Sequence, residues 1–149
     1  MKTWQVYLSG EIHSAWRDEI ARGVRAANLP VALLAPVTDH EASDACGVRV
    51  LGAEDDPFWA DHKGAKVNAI RTRTLIRRAD IVVVRFGDRY RQWNAAFDAG
   101  FAAALGIPLI ILHDADLRHA LKEVDAAALA VAAAPGQVVE ILEYVTTAE

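Results

Sequence analysis

The sequence predicts a single-domain α/β protein: a flavodoxin- or Rossmann-like three-layer sandwich built on a five-stranded parallel sheet. Three observations carry this expectation. Short apolar runs alternate with amphipathic segments along the whole chain, the pattern of helices covering both faces of a parallel sheet. One run, "DIVVVRF" at residues 80–86, is a near-continuous β-branched stretch, as expected of a strand buried on both faces. The 149 residues, 53% of them hydrophobic, suffice for one domain with a sizeable core. The domain is read as 1–149, without internal repeats or low-complexity linkers.

Taken in order, "WQVYL" at 4–8 is a short apolar run ended by Ser9 and Gly10, and reads as a buried strand. Ser14 is a good N-cap for a helix in which Trp16, Ile20, Val24 and Ala27 recur at helical spacing until Asn28-Leu29-Pro30 stops it. "VALLAP" at 31–36 is the second strand. "VTDHEASDACG" reads as a polar loop, with "VRVL" a short extension of the sheet. "EDDPFWADHKGAK" leads into a helix from about 61 to 78, and the 80–86 strand follows. A helix with Asn94 as N-cap holds Asp98 and ends at Gly106, and "IPLIIL" is the next strand. Its residues Phe97, Phe101 and Leu105 share one stripe, read as facing the sheet. "LRHALKEVD" is a short helix or turn, and "ALAVAA" at 128–133 fits strand or helix. "GQVVEILEYV" closes the chain as an amphipathic helix with Val138, Ile141, Leu142 and Val145 inward.

Composition narrows the function. A net charge of −4 argues against a protein that works on the nucleic acid backbone or an anionic membrane surface. Arg71, Arg73, Arg77 and Arg78 cluster over one helix and read as its solvated face. Cys46 is the only cysteine, so no internal disulfide forms. The opening "MKTWQVYLSG" has no apolar signal region, and apolar runs elsewhere are short or broken by charge. A cytoplasmic protein is the expectation.

In such sheets ligands lie beyond the carboxyl ends of the strands, where strand order reverses. That places the candidates at Ser9, Gly10, Glu11 and His13, at residues 38–41, and at 87–94, which include Asp88, Gln92, Trp93 and Asn94. No G-x-G-x-x-G, Walker loop, H-E-x-x-H or C-x-x-C occurs, so no cofactor and no metal is expected. Asp39, His40, Glu41 and Asp44 lie close together but lack the spacing of a ligand set. The "YLSGEIHS" segment is either a sugar or phosphate contact at a helix N-terminus or a plain turn with a capping serine. Asp98 is the residue hardest to explain. It lies among Ala95, Ala96, Ala99, Ala102, Ala103 and Ala104 on the first turn of its helix, where the positive helix end favours its ionised form. It is either a solvated or paired surface acid or an acid aimed into the mouth of the sheet. With Glu11 and Tyr7 at the same end, the second alternative supplies the parts of a glycosyl-transfer site.

These residues also carry a resemblance. "VYLSGEI" is similar to the opening of nucleoside 2-deoxyribosyltransferases, and "ADIVVVRFGD…FDAGFAAALGIPLIIL" to their nucleophile segment. More narrowly, "RQWNAAFDAGFA" and "HALKEVDAAALAVAAAPGQVVEILEYV" resemble the YtoQ family, a branch of that superfamily, over nearly the whole chain. The resemblance implies Asp98 as nucleophile, with Gly100 and Ala102 as its small companions and Tyr7 orienting it. It departs from the wider family in several places. That family has glutamate at the nucleophile and places an acid, a glycine and a hydroxyl residue before it, where this chain has Gln92, Asn94 and Ala95. The helix acid that assists the departing base falls near Thr72 or Asn68, neither a carboxylate. Aspartate is one methylene shorter, and a displacement of about 1 Å costs about 10²-fold in rate.

The resulting expectation is an enzyme cleaving or transferring at the N-glycosidic bond of a (deoxy)nucleoside or its 5′-monophosphate. Asp98, Tyr7 and Glu11 are its catalytic residues. Gln92 and Asn94 bond sugar hydroxyls, Trp93 or Phe58 and Trp59 stack on the base, and Ser9, Gly10 and Ser14 meet a 5′-phosphate, with His13 and Asp88 beside them. The alternative is a non-catalytic nucleotide-binding module on the same fold. The partner is a small molecule, with no nucleic acid and no membrane. The resemblance implies a homodimer or higher homo-oligomer, in which Tyr144 or Glu149 reaches a neighbour's pocket.

Overall fold

A computed structural model describes residues 1–147 and shows a five-stranded, all-parallel sheet flanked by six helices. In chain order these are β1 (Trp4–Gly10), α1 (Trp16–Ala26), β2 (Val31–Leu34), α2 (His40–Leu51), α3 (Pro57–Arg78) and β3 (Ile81–Phe86). They are followed by α4 (Trp93–Ala104), β4 (Leu109–His113), a 3₁₀ turn (Ala115–Leu117), α5 (Lys122–Ala127), β5 (Ala130–Ala132) and α6 (Pro135–Thr147). The strand order is β2-β1-β3-β4-β5, so the order reverses between β1 and β3. The register there aligns Ser9 with Val84 and Gly10 with Arg85. This is where a crevice opens in sheets of this kind.

Alternation along the central strands makes two cores. Val6, Leu8, Ile81, Val83, Ile110 and Leu112 meet α1 and α6 through Trp16, Ile20, Val24, Val138 and Leu142. Tyr7, Val82, Val84, Phe86, Leu109 and Ile111 meet α3 and α4 on the other face. Each fully buried large side chain in these layers contributes about 1.5–3 kcal/mol. Ile141 is half-buried, whereas Val145, expected inward, is exposed near the end of α6. Tyr144 is also exposed, and Glu149 lies outside the described residues.

Four local expectations are corrected. Residues 40–51, read as loop and strand, form α2: the Asp39 carboxylate accepts from the Ala42 N–H at 2.7 Å, and the helix packs on α3. Packing overrides the β preference of "VRVL". Helix α3 begins at Pro57, capped by Asp56, rather than near residue 61. Ser14 and Asn94 are not caps. Ala15 and Gln92 precede the two helices without side-chain capping bonds, because the Ser14 hydroxyl turns back to Glu11. The stripe of α4 that meets the sheet is alanine (Ala95, Ala99 and Ala102), while Phe97 and Leu105 are exposed. Phe97 and Phe101 instead lie under the guanidinium groups of Arg73 and Arg77 from α3, at 5.6 and 5.4 Å, so part of the arginine cluster closes the α3–α4 seam. The ambiguous 128–133 segment resolves as β5. No helix among the described residues is long and apolar enough to cross a membrane.

Two glycines should respond oppositely to alanine. At Gly47 a Cβ would strike the backbone of Lys63 and Gly64, where α2 crosses α3. At Gly100, within α4, it meets nothing within 4 Å. Gly47→Ala should destabilise by about 1–3 kcal/mol through overpacking, and Gly100→Ala should stabilise by about 0.5–1 kcal/mol. Urea denaturation of the two variants checks both signs.

Candidate active site

The site begins at the turn that ends β1. Gly10 has φ +105°, a left-handed conformation that disfavours any side chain, and the Arg85 backbone presses against the place a Cβ would take. The Glu11 N–H donates to the Arg85 carbonyl at 3.1 Å, tying the turn to β3. Arg17, on α1, donates to the carbonyls of Leu8, Glu11 and Gly10 at 3.1, 2.6 and 3.2 Å, and the Trp16 indole adds a bond to Glu11 O at 2.8 Å. Burial pulls the Arg17 guanidinium down to about 10, with Tyr7 and Glu11 acting in the opposite direction. The Glu11 carboxylate accepts from the His13 N–H and from the Ser14 hydroxyl, so both of its oxygens are engaged within its own loop.

This turn sets Ser9. Its hydroxyl, buried, donates to Asp98 Oδ2 at 2.6 Å. Asp98 sits in the second turn of α4, not the first, and is half-buried. Burial raises its pKa above 3.8, and the Ser9 hydrogen bond opposes that rise. Desolvation therefore outweighs the hydrogen bond that favours the ionised form. Beneath the pair lies Tyr7, fully buried, its hydroxyl without a hydrogen-bond partner. Burial pushes this phenol up to about 12; Thr72 pulls it down and the charge of Asp98 raises it further. The bond that holds Asp98 thus comes from Ser9, two residues beyond Tyr7 on the same face of β1.

A cleft of about 930 Å³ opens over Asp98. Of the residues singled out in the sequence, Ser9, Gly10, Glu11, His13, Gln92, Trp93, Asn94 and Asp98 line it. Tyr7, Ser14, Phe58, Trp59 and Asp88 do not. Phe58 and Trp59 are exposed at the start of α3, where they cluster with His62. Gln92 lines the cleft, but its amide accepts from the Gly87 N–H at 2.7 Å and donates to the Tyr90 carbonyl at 2.6 Å, which braces the 87–92 loop and leaves it less free for a sugar. Across the cleft stand His40, one of the 38–41 candidates, and Asn68 and Thr72, the positions the resemblance singled out, joined by Ser43 and Asp44 on α2 and Asp61 and Arg73 on α3, which the sequence reading had not assigned to the site. The Asn68 amide ties this wall together through Ser43 O and Oγ at 2.9 and 3.1 Å. Tyr90 joins His13 at the rim, their rings 4.7 Å apart, with His40 a further neighbour of His13. The signal for this wall was Asp39 standing at a capping distance before a helix-length segment, together with small residues, Gly47 and Gly64, where the two helices cross. Among the described residues no group of three His, Cys, Asp or Glu forms a metal site, and His40 pairs only with Asp44, at 3.3 Å.

A half-buried carboxylate held by a strand-end serine thus lines a cleft at the reversal point of the parallel sheet of a Rossmann-like domain. The family model described as nucleoside 2-deoxyribosyltransferase YtoQ matches residues 7–146, and the chain belongs to that family. It is 38% identical to the YtoQ protein of Bacillus subtilis (strain 168) over 144 residues, 97% of each chain. Among solved structures, a conserved protein from Enterococcus faecalis V583 superposes with a TM-score of 0.65 at 15% identity, over 96% of this chain and 99% of that one. A 2-deoxyribosyltransferase from Bacillus psychrosaccharolyticus does so with a TM-score of 0.55 at 16% identity, over 91% and 90%. At those identities the two superpositions establish the fold alone.

A raised native pKa at Asp98 makes the folded state the tighter proton binder, so its contribution to stability is largest at acid pH and is lost as pH rises through the native pKa. Asp98→Asn keeps an oxygen for the Ser9 hydroxyl to bond and abolishes the titration. The variant should therefore melt above wild type at pH 7, and the gap should narrow as the pH is lowered toward 4. Scanning calorimetry across that range measures both.

Proposed function

We propose that this protein cleaves or transfers at the N-glycosidic bond of a nucleoside or its 5′-monophosphate, with Asp98 as the nucleophile. The observation that carries this reading is the Ser9–Asp98 hydrogen bond in the wall of the cleft: it fixes one carboxylate oxygen and leaves the other for a ligand. In the first step an Asp98 oxygen attacks C1′ of the sugar. The C1′–N bond breaks, its electron pair goes to the base nitrogen, and the base leaves as it takes up a proton from water. The intermediate is a glycosyl ester. A second base nitrogen, or water, then attacks C1′ from the opposite face and expels the carboxylate, giving net retention. Attack requires C1′ to lie about 3–3.5 Å from the carboxylate oxygen.

Other residues take supporting roles. Ser9 holds the nucleophile. Asn94, exposed at the start of α4, is free to bond a sugar hydroxyl. His13, Tyr90 and Trp93 offer aromatic faces to the base in place of Phe58 and Trp59. Glu11 acts through the turn it closes rather than as a proton donor, since both its oxygens are engaged there. The second reading is a nucleotide-binding module without turnover. The facing wall favours it: Asn68 and Thr72 are uncharged, and the Asn68 amide is committed to Ser43, so neither supplies an acid to the departing base.

Chromatography of a panel of nucleosides and monophosphates incubated with the protein separates the two readings, alongside melting shifts with the same panel. The enzyme releases free base or exchanges it for an added one. Asp98→Asn should abolish turnover, a loss of at least about 10³-fold, while ligand-induced melting shifts persist. Melting shifts without released base would establish the binding module instead. Because the nucleophile must be ionised, wild-type kcat/KM should rise with pH through the raised pKa of Asp98.

A further inference from the structure

We infer that the ligand carries a phosphate group, and that Arg73 and Arg91 receive it at the α4 end of the cleft. This rests on the nucleoside reading above and assigns the phosphate a place that the sequence had put elsewhere. The turn after β1 is a poor phosphate site. Ser9 is committed to Asp98 and Ser14 to Glu11, and the Glu11 carboxylate stands in the loop itself. A phosphate there would meet a carboxylate and few free donors.

The opposite arrangement holds at the other end. Arg73 reaches the cleft from α3, next to Thr72, and its guanidinium lies over Phe97. Arg91 reaches it from the loop before α4, its guanidinium over Trp93. The two cations thus flank the beginning of the helix that carries Asp98. Neither forms an ion pair with a carboxylate among the described residues, although the chain has 20 acids and a net charge of −4. Stacking on an aromatic face orients a guanidinium and leaves its N–H edges available, the geometry suited to phosphate oxygens.

The acids of the cleft lie elsewhere or are spent. Asp61 is twelve residues before Arg73 on the same helix, about 18 Å away along the axis. Asp44 faces His40, Glu11 is held in its turn, and Asp98 accepts from the Ser9 hydroxyl. The trough is therefore polar along its length, cationic beside the nucleophile and acidic at the far end. A nucleoside with its reacting carbon at Asp98 and its 5′ end turned toward the start of α4 would meet these two cations, which makes a phosphorylated nucleoside a better match than a free one.

Isothermal titration of wild type, Arg73→Gln, Arg91→Gln and the charge control Arg77→Gln tests this, with a deoxynucleoside, its 5′-monophosphate and inorganic pyrophosphate as probes. At low salt the monophosphate should bind wild type at least about tenfold more tightly than the nucleoside, and the advantage should shrink at about 150 mM salt. Arg73→Gln and Arg91→Gln should each remove most of the monophosphate's advantage over the nucleoside, while Arg77→Gln should retain it. Equal binding of nucleoside and monophosphate, or an equal loss in Arg77→Gln, overturns the phosphate site and leaves the proposed function standing. Pyrophosphate binding that depends on Arg73 and Arg91, in a protein that binds no nucleoside, overturns the proposed function and leaves the anion site.

Discussion

Arg17 holds the turn after β1 by donating to three consecutive-neighbourhood carbonyls, those of Leu8, Gly10 and Glu11, and the rest of the site follows from that clamp. A strand that ends at the edge of a parallel sheet leaves carbonyls without ladder partners, and unpaired buried carbonyls are costly. A guanidinium from α1 satisfies them at the expense of its own desolvation, which its lowered pKa records. The clamp fixes Gly10 against Arg85, and Ser9 comes to rest facing α4. The position of the Asp98 carboxylate is therefore tied to an arginine of α1 that does not itself line the cleft.

Asp98 is under opposing demands. Burial favours its protonated form, whereas Ser9 favours the anion, and burial prevails. A carboxylate in that condition is poorly solvated, which favours its protonated form more than water would. Tyr7 extends the same logic downward. Its buried hydroxyl lacks a partner and would ionise only near pH 12, so it presents a neutral O–H to the underside of the site at any physiological pH.

The sequence was informative where a signal is local and periodic. The β-branched run of β3, the apolar run of β4 and the helix terminated at Asn28 are each set by their own residues, and the crossover rules then dictate a parallel sheet. The acid among alanines was legible for the same reason: its neighbours declare burial and it contradicts them. What was not legible depended on contacts between distant segments. The pattern of α2 is only weakly amphipathic because two glycines, rather than an apolar stripe, make its contact with α3, and without α2 the far wall of the cleft is missing. Phe97 and Leu105 misled for a related reason. Large apolar residues usually face a sheet, but on α4 the alanines occupy that face and the phenylalanines find cations on α3 instead.

That inversion also bears on how Asp98 reaches β1. Alanines at 95, 99 and 102 have no long side chains to hold α4 away from the sheet, so the helix backbone approaches β1 closely. Across this shorter gap an aspartate already reaches Ser9 at 2.6 Å, and an added methylene would have to fold back or push into the strand. Serine fits the same gap, being short enough to bond the acid from β1, whereas the longer Tyr7 lies in the layer below. The shorter acid, the serine that grips it and the alanine face are thus parts of one packing solution.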